Sequence, residues 1–268
     1  MCRQNFRYPD IPGGLLRETV TQIAYLLASG EEPMRYAIYY TPPEDDPLTR
    51  IASTWLGRNA FTGETFAPQA HGPLPAAEIA YQTAAARRYG FHATLKAPFQ
   101  LADGQDEREL TAALSTFCGQ MRPFTGPRLA IRRLDGFLAL VPEQPSARLD
   151  GLARDVVVAF ERFRAPLSDA ELARRNPEAL SPAQLKNLHQ WGYPYVFEEF
   201  RFHMTLTGRL GDADAPRILR AVEERFGPVL DEPLEVGSLA LFVEPEPGAP
   251  FAVHSFHEFG RLHERKSA

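Results

Sequence analysis

GFHATLKAPF, residues 90–99, and RFHMTLTGRL, residues 201–210, share the string Phe-His-x-Thr-Leu. With this composition the string is expected by chance on the order of a few thousandths of a time. Both copies are β-prone and alternate polar with apolar residues, so each reads as a strand. On the first, His92, Thr94 and Lys96 share one face, opposite Phe91, Ala93 and Leu95. On the second, His203, Thr205 and Thr207 oppose Phe202, Met204 and Leu206. Each strand thus has an apolar side for a core and a polar side bearing an imidazole and a hydroxyl.

Each copy heads the same succession of elements. After the first come a helix near 106–121 and the strands RLAIRR and FLALVP, joined through Asp135-Gly136. After the second come a helix near 214–226 and the strands VGSLALFVEP and PFAVHSFHEF. Upstream lie the strand RYAIYYTPP from Met34 and helices at about 46–57 and 75–88; a helix at about 149–163 precedes the connector. The connector, 164–200, holds two capping boxes, Ser168 with Glu171 and Ser181 with Gln184. The expected architecture is α+β and bilobal. Two pseudo-symmetric lobes with antiparallel sheets flank a central cleft, across which the motif strands face each other. Residues 34–260 form this single domain. Residues 1–33 read as an N-terminal extension, with Met34 an alternative start, and 261–268 as a tail.

Two imidazoles and two threonines around one cleft suit phosphodiester cleavage. A neutral histidine accepts a proton from the attacking oxygen, and a protonated one supplies the leaving oxygen. Threonine hydroxyls donate to the non-bridging oxygens. His92 and His203 are therefore the candidate catalytic pair, in interchangeable roles, and Thr94 and Thr205 the candidate phosphate ligands. Lys96 joins the phosphate ligands, because the chain uses 26 arginines and only three lysines, one of them on this polar face. Thr207, Tyr39, Arg88, Tyr193 and Arg201 are candidate substrate contacts. With Trp191 and Tyr195, Tyr193 could equally pack in a core or stack on a base or sugar.

Other chemistries are poorly served. His254 and His257 lack a third ligand and alternate in direction along a strand, so no metal is expected. His71, His189 and His263 read as surface residues. Cys2 and Cys118 make no disulfide framework, and Cys118 falls on an apolar helix face. There is no Walker-type loop, dinucleotide fingerprint or nucleophile elbow, and no cofactor is expected. A net charge of -5 gives no general attraction for polyanions, so RNA is disfavoured and no DNA partner is expected. The chain lacks a membrane-length apolar run and a signal peptide, so a cytoplasmic monomer acting on a small phosphorylated substrate is expected.

The paired motifs resemble the two-histidine (2H) phosphoesterase superfamily, LigT-like, whose members include RNA ligases and cyclic phosphodiesterases. The likeness runs from about Met34 to Phe259. RYAIYYTP, GFHATLKAPF and WGYPY…RFHMTLTG closely resemble a bacterial subfamily linked to phosphonate metabolism and carbon–phosphorus lyase pathways. By position the resemblance implies catalysis by His92 and His203 and phosphate contact by Thr94 and Thr205, without metal. Three functions follow: hydrolysis of a small, cyclic phosphodiester, RNA 2′,3′-cyclic phosphate end processing, or non-catalytic binding of phosphorylated ligands.

Overall fold

The computed structural model describes residues 34–260; the expected extension and tail lie outside the described residues. The first strand, β1 (Arg35–Tyr40), is followed by helices α1 (Pro47–Leu56) and α2 (Ala76–Tyr89) and the motif strand β2 (Ala93–Phe99). Next come α3 (Glu107–Gln120), the hairpin β3 (Phe124–Leu134) and β4 (Phe137–Pro142), and α4 (Ala147–Ala159). The connector carries α5 (Asp169–Arg174) and α6 (Pro182–Trp191), and both capping boxes form. The second motif strand is β5 (Met204–Arg209), then α7 (Ala215–Phe226), β6 (Pro233–Val236), β7 (Ser238–Glu244) and β8 (Ala252–Glu258).

The strands make one curled antiparallel half-barrel of eight, in the order β6-β3-β4-β5-β2-β1-β7-β8. The motif strands β5 and β2 meet at the middle of this order, with four strands on each side of the boundary. The lobes are interleaved in sequence: the hairpin after the first motif lies beside β5, while β7 and β8, after the second, extend the sheet from β1. Helices follow the same exchange. α3 packs on β7 and β8, α7 on β3, α2 on β5 and α4 on β2.

Two expectations change. The motif strands do not face each other across a gap; they are antiparallel neighbours, with Ala93 opposite Met204. The segment VGSLALFVEP forms β7, but its first residue, Val236, ends a further short strand, β6, which pairs with β3 and is separated by Gly237 from β7, which pairs with β1. Between the sheet and its helices lies a core that includes Leu95, Leu140, Phe160, Met204, Leu206 and Phe226. Cys118 belongs to it, fully buried, and burial pushes its thiol up to about 12. Among the described residues no helix is long and apolar enough to cross a membrane.

Candidate active site

Counting outward from Ala93 and Met204 along antiparallel strands puts His92 across from Thr205 and His203 across from Thr94. All four point to the face opposite Ala93 and Met204, which are buried. The two motifs therefore interdigitate their polar sides on a single surface.

Both imidazoles are oriented by the same local device. His92 Nδ1 lies 3.0 Å from the carbonyl of Gly90, and His203 Nδ1 lies 2.7 Å from the carbonyl of Arg201. A carbonyl oxygen only accepts, so each Nδ1 carries the proton and each Nε2 is left for chemistry. His92 Nε2 is 3.2 Å from Thr94 Oγ1, whose hydroxyl can donate to it. Gly90 has φ +77°, and a Cβ there would stand 2.6 Å from Ala60 Cβ. Only glycine fits where this carbonyl must sit.

The surroundings of the two rings differ. His92 is stacked on Tyr39, with centroids 3.8 Å apart and planes 18° from parallel, and Phe242 and Tyr89 lie nearby. Burial among these rings lowers its pKa to about 4; the Gly90 hydrogen bond opposes the shift and the charge of His203 adds to it. His203, partly exposed as His92 is, has the Phe137 ring 5.8 Å away and no stacked partner among the described residues. It lines, with Thr94, a cavity of about 760 Å³ bounded by the β3–β4 turn, β5 and the connector. Tyr193 and Tyr195 form one wall, their rings 5.5 Å apart and edge to face, and Arg201 also lines it.

Several candidate contacts do other work. Tyr39 is 1% exposed and supports His92 from beneath rather than meeting a substrate. Arg88 pairs with Glu244, as does Arg35 at 2.5 Å, so its charge is committed to a structural carboxylate. Thr207 is buried; its Oγ accepts from the Leu138 N–H at 2.9 Å and donates to the Gly208 carbonyl at 2.8 Å.

Lys96 is the largest correction. Tyr39 pairs with Thr94 and Ile38 with Lys96, so β2 inserts one extra residue between Thr94 and Lys96. Paired residues share a face and Tyr39 and Ile38 point opposite ways, so this bulge turns Lys96 away from Thr94. Its ammonium, 3% exposed as a residue, meets Glu161 Oε2 at 2.8 Å beside α4, and Arg164 binds the same carboxylate. Burial lowers the Lys96 pKa, against the pull of Glu161.

β5 carries a larger bulge. Ala139 pairs with Thr205 and Phe137 with Arg209, so four steps of β5 answer two of β4. The even count keeps Arg209 on the His203 face, and Arg209 lines the cavity with Phe137. Sequence reasoning missed it, although its spacing from His203 has the right parity. Trp191 packs edge-on against Phe197, outside the cavity lining.

The remaining histidines fall elsewhere. His254 is exposed, 3.5 Å from Glu107, while His257 Nε2 meets Ser255 Oγ at 2.8 Å. His189 is exposed in the last turn of α6, as expected. His71 is not a plain surface residue, because its Nε2 is buried without a partner among the described residues. His263 lies outside the described residues.

A family model described as "Protein of unknown function (DUF1045)" matches residues 94–252, from the threonine of the first motif into β8. The chain belongs to this family. This DUF1045 chain is similar to two curated proteins named "Ribose 1,5-bisphosphate phosphokinase PhnN". That from Janthinobacterium sp. (strain Marseille) is 40% identical over 243 residues, 89% of this chain and 54% of that protein. That from Laribacter hongkongensis (strain HLHK9) is 40% identical over 221 residues, 81% of this chain and 50% of that protein. The chain thus spans about half the length of these relatives. Among solved structures, E. coli LigT complexed with 3′-AMP is 16% identical, with TM-score 0.38 over 86% of this chain and 100% of that one. A structure described as a phosphoesterase is 17% identical, with TM-score 0.38 and the same coverage.

Proposed function

We propose that this DUF1045 chain is a 2H phosphodiesterase that opens a small cyclic phosphodiester, with His92 as base and His203 as acid. The supporting observation is the pair of imidazoles on adjacent strands, each held through Nδ1 by the carbonyl two residues earlier. Nδ1 being so occupied, Nε2 is the nitrogen left for chemistry on the face that carries Thr94 and Thr205, and in His92 it meets the Thr94 hydroxyl at 3.2 Å. Mere binding of an anion needs donors, and two oriented titratable rings add nothing to it.

The roles follow from burial. His92, depressed to about 4, is neutral near pH 7 and fit to receive a proton, which leaves His203 to donate. A water oxygen bonds to phosphorus as its proton passes to His92 Nε2. The bond from phosphorus to the leaving oxygen breaks, and that oxygen takes the proton from His203 Nε2. The products are a phosphomonoester and a free hydroxyl. Thr94 and Thr205 donate to the non-bridging oxygens as charge grows there. No step calls on a metal.

The substrate we favour is a ribose cyclic phosphate, 5-phosphoribosyl 1,2-cyclic phosphate or a close analogue, within phosphonate catabolism. The name shared by the two relatives concerns a ribose bisphosphate, which favours a phosphorylated pentose. Their kinase activity is not carried over, since this chain has no Walker-type loop. The test is kcat/KM on this compound beside an oligonucleotide ending in a 2′,3′-cyclic phosphate, with and without EDTA. Preference for the sugar phosphate in both conditions is expected. A clear win for the oligonucleotide replaces this reading with RNA end processing, and loss in EDTA restored by zinc or manganese rejects metal independence.

A further inference from the structure

The cavity beside His203 is far larger than one cyclic phosphate needs, and its lining holds two cations with no assigned work. Arg201 and Arg209 are both exposed, and among the described residues neither guanidinium has a hydrogen bond or ion pair. Most other arginines near the sheet are committed: Arg88 and Arg35 to Glu244, Arg164 to Glu161, Arg133 to Asp212. Arg201 stands two residues before His203 and contributes the carbonyl that orients it. Arg209 reaches the cavity because of the β5 bulge, whose compression brings it opposite Phe137, the residue whose ring neighbours His203. Thr207 fixes that bulge by taking the Leu138 N–H.

From this arrangement we infer that Arg201 and Arg209 form a second anion subsite, which reads a phosphate on the substrate other than the one being cleaved. The inference rests on the phosphodiesterase reading and deepens it: the substrate class is a sugar cyclic phosphate with an additional phosphomonoester. Guanidinium groups without carboxylate partners, at the rim of a cavity, suit a phosphomonoester dianion that presents several acceptor oxygens. The same cavity holds the carboxylates of Asp135 and Glu199, the latter accepting from the Gln184 amide at 2.8 Å. Two carboxylates repel a long polyanion but accept hydrogen bonds from sugar hydroxyls. The lining therefore matches one extra phosphate on a polyol rather than a nucleic-acid backbone.

The test has two arms, run on the full chain and on R201A, R209A and the double variant. In the first, kcat/KM is measured on ribose 1,2-cyclic phosphate with and without a 5-phosphate. The wild type is expected to favour the 5-phosphorylated compound by about tenfold or more, chiefly through KM, and the double variant to lose most of that ratio. In the second, ribose 5-phosphate and ribose are titrated calorimetrically. The phosphorylated sugar should bind more tightly to the wild type, and the advantage should shrink at least about tenfold in the double variant. An unchanged ratio in the double variant, or equal binding of the two sugars by the wild type, overturns the subsite. If neither cyclic compound is hydrolysed, the phosphodiesterase reading fails and the calorimetric arm alone decides whether the anion subsite exists.

Discussion

The two motif strands share Phe-His-x-Thr-Leu, yet their bulges do opposite things. In β2 one extra residue reverses the direction of the chain's side chains after Thr94, and the motif lysine goes under α4 to Glu161. In β5 the larger bulge preserves direction, and Arg209 stays on the His203 face. The histidines differ in the same sense. His92 is part-buried and stacked on Tyr39, and its pKa is depressed to about 4, while His203 borders a cavity whose lining includes Arg201 and Arg209. One copy of the motif sets its histidine against packed aromatic rings, and the other sets its histidine on the wall of a cavity. Similar strings thus acquire different chemistry from the parity of the residues that follow them.

The comparison is broken most severely by removing either ring. H92A and H203A are each expected to lower kcat by at least about a hundredfold with the fold retained, as judged by circular dichroism. The pH profile separates them. If His92 is the base, as proposed, the acid limb of the wild-type kcat/KM should lie near pH 4, well below the ordinary histidine range. An acid limb near 6.5 would show that His92 is not the base.

Gly90 tests the orienting device. An alanine there combines an unfavourable φ of +77° with a Cβ 2.6 Å from Ala60, and Ala60 belongs to a buried cluster with Tyr39 and Phe242. A loss of about 3 to 5 kcal/mol in denaturant unfolding is expected. The residual folded enzyme should be slow, since the carbonyl that holds His92 Nδ1 would move. Stability and rate close to wild type would show that this carbonyl is not a fixed support.

Much of this was readable from the letters, and the exceptions share a cause. Local alternation exposed His92, Thr94, His203 and Thr205, and capping chemistry placed α5 and α6, because both signals act within a few residues. Sequence alone places Lys96, Arg88 and Tyr39 at the substrate because their real partners are distant in the chain. Lys96 meets Glu161, Arg88 meets Glu244, and Tyr39 meets His92 across a strand pair. Bulges were equally invisible, since they exist only relative to the neighbouring strand. That is why strict alternation put Lys96 on the wrong face and never drew attention to Arg209. The exchange of hairpins between the halves of the sheet is a property of topology, which repeated element order does not encode.

The depressed pKa of His92 also makes a thermodynamic prediction. Its folded value, about 4, lies below the ordinary 6.5, so between those values the unfolded chain binds more protons than the folded one. Stability from this group is complete above about pH 6.5, falls as pH drops through the window, and levels off below about 4. The total is up to about 3 kcal/mol. Denaturant midpoints measured from pH 7.5 to 4 should show this slope, and H92Q should remove it. A slope unchanged in H92Q would mean that other groups carry it.

The smallest expected effect concerns the bulge that distinguishes β5 from β2. Thr207 Oγ supplies the acceptor that the Leu138 N–H lacks in the interrupted ladder. T207V keeps the shape and removes that acceptor, leaving a buried donor unpaired, at a cost of about 1 to 3 kcal/mol. T207S retains the hydroxyl and should lose less. If the bulge also sets the position of Arg209, T207V should weaken ribose 5-phosphate binding several-fold while T207S largely preserves it. The pair of substitutions separates two ideas, because a purely structural threonine would alter melting temperature in T207V without changing that affinity. Equal affinities in the two variants, beside unequal stabilities, would cut the link between the bulge and the anion subsite.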